Sequence, residues 1–227
     1  MPDWIVDLLG HTLFTVGTQP VTWVEALGFL FGALCVWAVA KQYSWNWPVG
    51  LASNVMFFVL FIGYGLYADA ILQVAFFALG IYGWIVWSRR GRLIGASAVP
   101  IRRVGRREAV IGLATATVTT AGIAWLLVAV TDSTVPLPDA FVLAFSLLAT
   151  WGQARKILEQ WWVWIAVDVV SIPLYAVKGL WLTSVLYCGF LALCAYGLRR
   201  WRLEYRAQIS APAADELGAA AVGGGAR

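Results

Sequence analysis

The stretch SWNWPVGLASNVMFFVLFIG at residues 44–63 decides the fold. It contains an apolar run of about the 20 residues that a membrane-spanning helix needs. Pro48 argues against a central strand, because proline cannot donate a ladder hydrogen bond, whereas the first turn of a helix accepts it. Asn54 lies deep in the same run, where a polar group usually faces the interior of a helix bundle. The stretch therefore predicts a spanning helix with one inward polar side chain.

The rest of the chain has the composition of a polytopic membrane protein. Its 227 residues are 61% hydrophobic and 12% charged, and the mean hydropathy is +0.77. Soluble domains carry about twice that charged fraction, and the alternation typical of a membrane barrel is absent. We predict an all-α integral membrane protein with seven transmembrane helices. The predicted spans are 23–40, 47–65, 70–87, 108–130, 139–154, 160–177 and 181–198.

Basic residues predict the orientation of the bundle. The loop 88–107 carries seven arginines, and alternating spans place nearly all other Lys and Arg residues on the same side. Cytoplasmic loops carry the excess of such residues, so the N-terminus is expected outside and the C-terminus in the cytoplasm. A nucleic-acid-binding patch is a weaker explanation of the same arginines.

The sequence also contains an internal repeat. A shift of 114 residues, the separation of Trp47 and Trp161, also aligns Gly83 with Gly197 and Trp87 with Trp201. Spans one to three then match spans five to seven, and the single fourth span makes the two units parallel. We predict two parallel three-helix repeats joined by a linker helix. The predicted segments are an interfacial segment 1–20, repeat one 21–90, an Arg-rich loop 91–107, the linker helix 108–131, repeat two 132–202 and a disordered tail 203–227.

A line of polar and aromatic side chains marks the candidate site in the sixth span. Steps of three and four residues place one set on one helix face: Trp161, Trp164, Asp168, Ser171 and Tyr175. The repeat aligns Asp168 with Asn54, and both lie near mid-membrane. Asp168 either binds substrate or holds helices together by hydrogen bonds, and Asn54 has the same two interpretations. Trp47 begins the matching face of the second span.

A second repeat pair, Gln73 and Tyr187, is expected about one turn inside the outer ends of spans three and seven. The pair either covers the same cavity or anchors the helices at the interface. The only histidine is His11, and no cluster has the spacing of a metal site or a nucleophile. We therefore expect no metal, no cofactor and no enzymatic activity.

Three stretches resemble the PnuC family of vitamin transporters. They are WVEALGFLFGALCV at 23–36, GLYADAILQVAFFALGIYGWIVWSR at 65–89, and WWVWIAVDVVSIPLYAVKGLWLTSVLY at 161–187. The resemblance implies a 3+1+3 fold related to the SWEET proteins, a homotrimer, and a location in the bacterial inner membrane. It implies facilitated diffusion of nicotinamide riboside for NAD biosynthesis, with trapping by intracellular phosphorylation. Relatives with the same fold are assigned to thiamine or riboflavin.

The resemblance also assigns residues to the substrate path. The matching positions are Asn54, Gln73, Trp164, Asp168 and Tyr187. Asp168 differs from relatives that have asparagine at this point. A carboxylate suits the cationic nicotinamide riboside and thiamine, and it argues against riboflavin.

Overall fold

A computed structural model describes residues 11–16, 19–63, 67–93, 100–130, 135–179 and 181–223. The described chain begins with a hairpin, in which strand β1 (Thr12–Val16) pairs antiparallel with β2 (Gln19–Thr22). Threonine and valine favour extended structure, which explains strands in this part of the predicted interfacial segment 1–20. Residues 1–10 of that predicted segment lie outside the described residues.

Seven helices follow in the described part of the chain, as the apolar spans predicted. They are α1 (Trp23–Ala40), α2 (Asn46–Gly63), α3 (Tyr67–Leu93), α4 (Arg106–Val130), α5 (Pro136–Ala154), α6 (Gln160–Val177) and α7 (Trp181–Gly223). Among the described residues, four stretches are long and apolar enough to cross a membrane: Ala70–Arg89, Arg106–Val130, Gln160–Val177 and Trp181–Ser210. Pro48 lies in the first turn of α2, where its missing N–H leaves no helical hydrogen bond unmade.

The last helix extends beyond the predicted seventh span, into the segment 203–227 that was predicted as a disordered tail. Helix α7 continues through this segment to Gly223. Leu, Glu, Arg, Gln and Ala dominate the sequence here, and these residues have high helix propensity. Arg200 and Glu204 lie one helical turn apart and form an ion pair of 3.0 Å, which supports the extension.

Helices that are neighbours in sequence pack together in both halves of the chain. Helix α2 packs on α1 and α3, and helix α6 packs on α5 and α7. Contacts of α1 with α7 and of α3 with α5 join the halves, whereas α4 packs mainly on α5.

A tryptophan core joins the two halves at the end that carries the Arg-rich loop. In the first half, the Trp47 ring meets Trp87 edge to face, with centroids 5.5 Å apart. In the second half, Trp161 meets Trp201 in the same way at 5.6 Å. Each pair is completed by a glycine, Gly83 or Gly197, that lies directly under the six-membered part of the indole ring. Only a residue without a Cβ leaves room for the indole at these two positions.

Hydrogen bonds from this core cross between the halves. The Trp87 indole N–H donates to the backbone carbonyl of Ala154 at 3.1 Å, and the Trp201 indole N–H donates to that of Val39 at 3.1 Å. Gln42 and Lys156, also separated by 114 residues, both have positive φ, at 59° and 52°. The Lys156 ammonium donates to the Gln42 side-chain oxygen at 2.6 Å. The two turns that contain these residues therefore meet each other.

Candidate functional site

Asp168 lies inside helix α6 and is almost completely buried, with 3% of its surface exposed. The Cys194 thiol of α7 lies within hydrogen-bonding reach of the carboxyl group. Its Oδ2 atom has no hydrogen-bond partner among the described residues. A buried carboxyl group with an unfilled oxygen is energetically costly unless a ligand or another group completes it.

An aromatic cluster from α6 and α7 reaches this carboxyl group through Tyr187. Tyr187 stacks on Tyr175 with ring centroids 5.0 Å apart, and it meets Phe190 edge to face at 5.6 Å. The Tyr187 hydroxyl lies within electrostatic range of Asp168 and close to Ser171, whose fully buried hydroxyl has no hydrogen-bond partner among the described residues. We name Asp168, Ser171, Tyr175, Tyr187 and Cys194 the α6–α7 polar cluster. It combines one acidic group with two stacked phenol rings.

Where helix α6 of the second half has two hydroxyl side chains, helix α2 of the first half has two phenylalanines. Phe57 and Phe61, which the repeat aligns with Ser171 and Tyr175, stack at 6.0 Å. Phe57 also packs tightly on Gly28 of α1. The hydroxyl groups of the candidate site therefore come from the second half, and the first half adds the amides of Asn54 and Gln73 as candidates.

Asp168 and Tyr187 are the two predicted site residues that the structure brings together. Asn54 and Gln73 are half-buried in α2 and α3, and no hydrogen bond or ring contact of the described residues joins them to the α6–α7 polar cluster. Trp164 is half-buried and packs against the tryptophan core. Their roles as substrate contacts stay predictions.

Trp47, the remaining predicted substrate contact, packs in the tryptophan core, where its side chain is 3% exposed and lies against Gly83 and Trp87. Its role as a substrate contact also stays a prediction. Cys194, a neighbour of Asp168, was not among the predicted site residues. The spacing of Tyr187, Phe190 and Cys194, three and then four residues, places all three on one face of α7 and was the available signal.

A cavity of about 730 Å³ lies elsewhere, between α3, α4 and α5, and none of the predicted site residues lines it. Among the described residues, no group of three His, Cys, Asp or Glu side chains is arranged to hold a metal ion.

Comparisons with known proteins match nearly the whole chain. The family model described as nicotinamide mononucleotide transporter matches residues 22–203. The riboflavin/roseoflavin transporter RibM of Streptomyces davaonensis is 30% identical over 202 residues, which are 88% of this chain and 94% of that protein. The nicotinamide riboside transporter PnuC of Escherichia coli is 26% identical over 220 residues, covering 87% of this chain and 92% of that protein.

A solved structure shows the same fold. The crystal structure of the vitamin B3 transporter PnuC superimposes with a TM-score of 0.65 and 23% sequence identity. The match covers 90% of this chain and 91% of that one. The helical arrangement is therefore that of an integral membrane protein.

Proposed function

The chain belongs to the nicotinamide mononucleotide transporter family, a family of membrane transporters, and we propose that it carries nicotinamide riboside into the cell by facilitated diffusion. Such a carrier moves its substrate down a gradient, and phosphorylation inside the cell would keep the gradient inward. The chain itself contains no P-loop motif for ATP, in keeping with passive transport. Three relatives from other bacteria have the name nicotinamide riboside transporter PnuC.

The proposed architecture is two parallel repeats, α1–α3 and α5–α7, joined by α4 and related by a pseudo-twofold axis along the membrane normal. Matched contacts support it, since Trp47 with Gly83 and Trp161 with Gly197 have the same packing. The Gln42–Lys156 hydrogen bond joins two residues at the same repeat position, as expected for residues beside such an axis. A substrate site between the halves follows from this arrangement.

The remaining parts of the proposal are an N-terminus outside, a C-terminus in the cytoplasm and a homotrimer. The excess of arginine around residues 88–107 and at the end of α7 supports the orientation. Protease accessibility of tags at the two ends tests it, and the mass of the purified complex tests the trimer.

The buried carboxyl group of Asp168 is the observation that carries the choice of substrate. Its Oδ2 atom lacks a partner among the described residues, and the stacked Tyr175 and Tyr187 rings lie beside it. A cation bound here would offset the cost of burying the carboxylate, and the aromatic faces would stabilise the same charge. Nicotinamide riboside is a flat aromatic cation and satisfies both requirements.

Riboflavin is the second candidate, because the riboflavin/roseoflavin transporter RibM is 30% identical to this chain. Riboflavin is aromatic but uncharged, so it would use the tyrosine pair without neutralising Asp168. Thiamine is a cation and remains an alternative within the proposed chemistry.

An uptake assay separates these substrates. Labelled nicotinamide riboside, thiamine and riboflavin would be offered to cells that lack their own transporters and express this chain. We expect accumulation of nicotinamide riboside. Transport of riboflavin alone would refute the cation proposal, and transport of thiamine alone would keep the chemistry but change the vitamin.

The substitution Asp168→Asn tests the carboxylate directly. Hydrogen bonds to charged groups contribute about 1.5–3 kcal/mol, so affinity for the cation is expected to fall by about tenfold to a hundredfold. Asp139→Asn is the matched control. Asp139 forms an ion pair with Lys178 at 2.6 Å and is not part of the α6–α7 polar cluster. Unchanged affinity of purified Asp168→Asn protein would remove Asp168 from the site.

A further inference from the structure

A groove on the outer surface of the bundle lies between α3, α4 and α5. Its volume is about 730 Å³. The groove exists because α4 packs mainly on α5 and buries only Ala116 and Thr120 of its described side chains. Apolar and small side chains form most of the wall: Leu79, Ile111, Thr115, Ala144, Leu147 and Leu148.

The length of the groove matches one leaflet of a bilayer. Its lining on α4 extends from Arg107 to Thr119. Twelve residues of α-helix rise about 18 Å. Half of a hydrocarbon core of about 30 Å is about 15 Å, so the groove begins near the headgroups and ends near the bilayer centre.

The end of the groove near the Arg-rich loop is positively charged. Arg107 is exposed there, and Arg155 lies over the Trp151 ring with 40% of its side chain exposed. Glu108 also lines this end, but both of its oxygens accept hydrogen bonds from Arg102 at 2.7 Å. The contact of Arg155 with Glu108 is longer, at 3.5 Å. Two guanidinium groups are therefore available to a phosphate at the mouth.

A smaller cleft adds to this positive charge. It has a volume of about 280 Å³ and lies on the other side of Arg155, lined also by Arg89 and Tyr82. Arg155 thus lies between two openings, and both contain a further arginine. Basic pockets between transmembrane helices on the arginine-rich side bind anionic lipid headgroups.

We propose that this groove is a binding site for an anionic phospholipid, with one acyl chain along α4 and α5 and the phosphate between Arg107 and Arg155. The site is separate from the α6–α7 polar cluster, so the proposal depends on insertion in a membrane and not on the identity of the transported vitamin. Its occupant would fill the space that α4 leaves beside α5.

Native mass spectrometry of the full-length protein tests the proposal. Delipidated protein in detergent would be titrated with phosphatidylglycerol and with phosphatidylcholine. We expect preferential binding of phosphatidylglycerol, and Arg107→Gln and Arg155→Gln should each lower its affinity about fivefold. Arg199→Gln is the control, since Arg199 is an exposed arginine on the same side and does not line the groove. Equal effects of all three substitutions, or no preference between the lipids, would overturn the proposal.

A second pair of variants tests the part of the groove wall that would contact the acyl chain. Thr115→Phe would fill the groove, whereas Ala114→Phe adds the same ring at an exposed neighbouring position that does not line it. We expect reduced phosphatidylglycerol binding for Thr115→Phe alone. If Thr115→Phe instead dissociates an oligomer and leaves lipid selectivity unchanged, the groove binds a second copy of the chain and the lipid proposal is wrong.

Discussion

Replacing Gly197 with alanine should destabilise the tryptophan core through a direct clash. A Cβ atom at this position would lie 2.4 Å from the far edge of the Trp161 indole, and further atoms of the same ring lie at 2.5 and 2.7 Å. Distances below 3.0 Å require one of the groups to move. The Trp161 ring has little freedom to do so, because it is 1% exposed and packed against Trp201.

The magnitude follows from two opposing contributions. Overpacking of a core by one carbon typically costs 1–3 kcal/mol. Alanine in place of glycine inside a helix contributes up to about 1 kcal/mol in the other direction. With the full propensity gain, we expect a net loss of up to about 2 kcal/mol, which lowers the melting temperature of a domain of this size by up to roughly 8 °C.

Gly189→Ala supplies the matched control within α7. Among the described residues, no atom outside its own helical turn lies within 4 Å of the position where its Cβ would be, so this substitution has only the gain in helix propensity. Thermal unfolding of the two purified variants in detergent, followed by size-exclusion chromatography, measures the difference. Equal melting temperatures for Gly197→Ala and Gly189→Ala would refute the packing argument.

A double substitution identifies the clashing partner. Trp161→Leu removes the ring that the new methyl group would meet, so Gly197→Ala should cost little in that background. The two changes are then less than additive, as expected for residues in contact. Full additivity would mean that the loss comes from another source.

Two further predictions concern the contacts between the halves. Trp201→Phe removes the indole N–H that donates to the Val39 carbonyl at 3.1 Å, and it should lower the free energy of unfolding by about 1 kcal/mol or more. Burial lowers the pKa of Lys156 from 10.5 to about 8, against the opposing effect of Glu204. The unfolded chain therefore binds more protons between pH 8 and pH 10.5, and the Lys156 contribution raises stability with pH across that window by on the order of 3 kcal/mol.

Each of these two predictions is checked against a variant protein. For the indole bond, Trp125→Phe is the control, because Trp125 is 72% exposed, and equal losses in the two variants would contradict the role of the hydrogen bond. For the pH effect, Lys156→Met should lack the rise that the parent protein shows between pH 8 and pH 10.5. A variant with the parental pH dependence would show that Lys156 is not the titrating group.

Sequence analysis predicted the positions of the seven helices to within a few residues at most ends. This was possible because hydropathy and helix period are local properties of the chain, and an apolar run of spanning length has few alternatives in a bilayer. The segment 203–227 was predicted as a disordered tail, whereas α7 continues to Gly223, in keeping with the high helix propensity of its alanines and other helix-forming residues.

The candidate site was predictable in one part and not in another. The spacing along α6 placed Asp168, Ser171 and Tyr175 on one face, since helical period alone determines that relation. Which residues of α7 meet this face depends on helix packing, and only the tertiary structure brought Tyr187 and Cys194 to it.

Trp47 shows most clearly which features the sequence determines and which depend on the packing of helices. The sequence alone determined that Trp47 and Trp161 occupy matching positions and that Gly83 and Gly197 do as well. Only the tertiary structure decided that each glycine packs against an indole ring, which places Trp47 in the tryptophan core. The physical reason is that the absence of a Cβ creates a recess whose occupant belongs to another helix, and no local pattern specifies that partner.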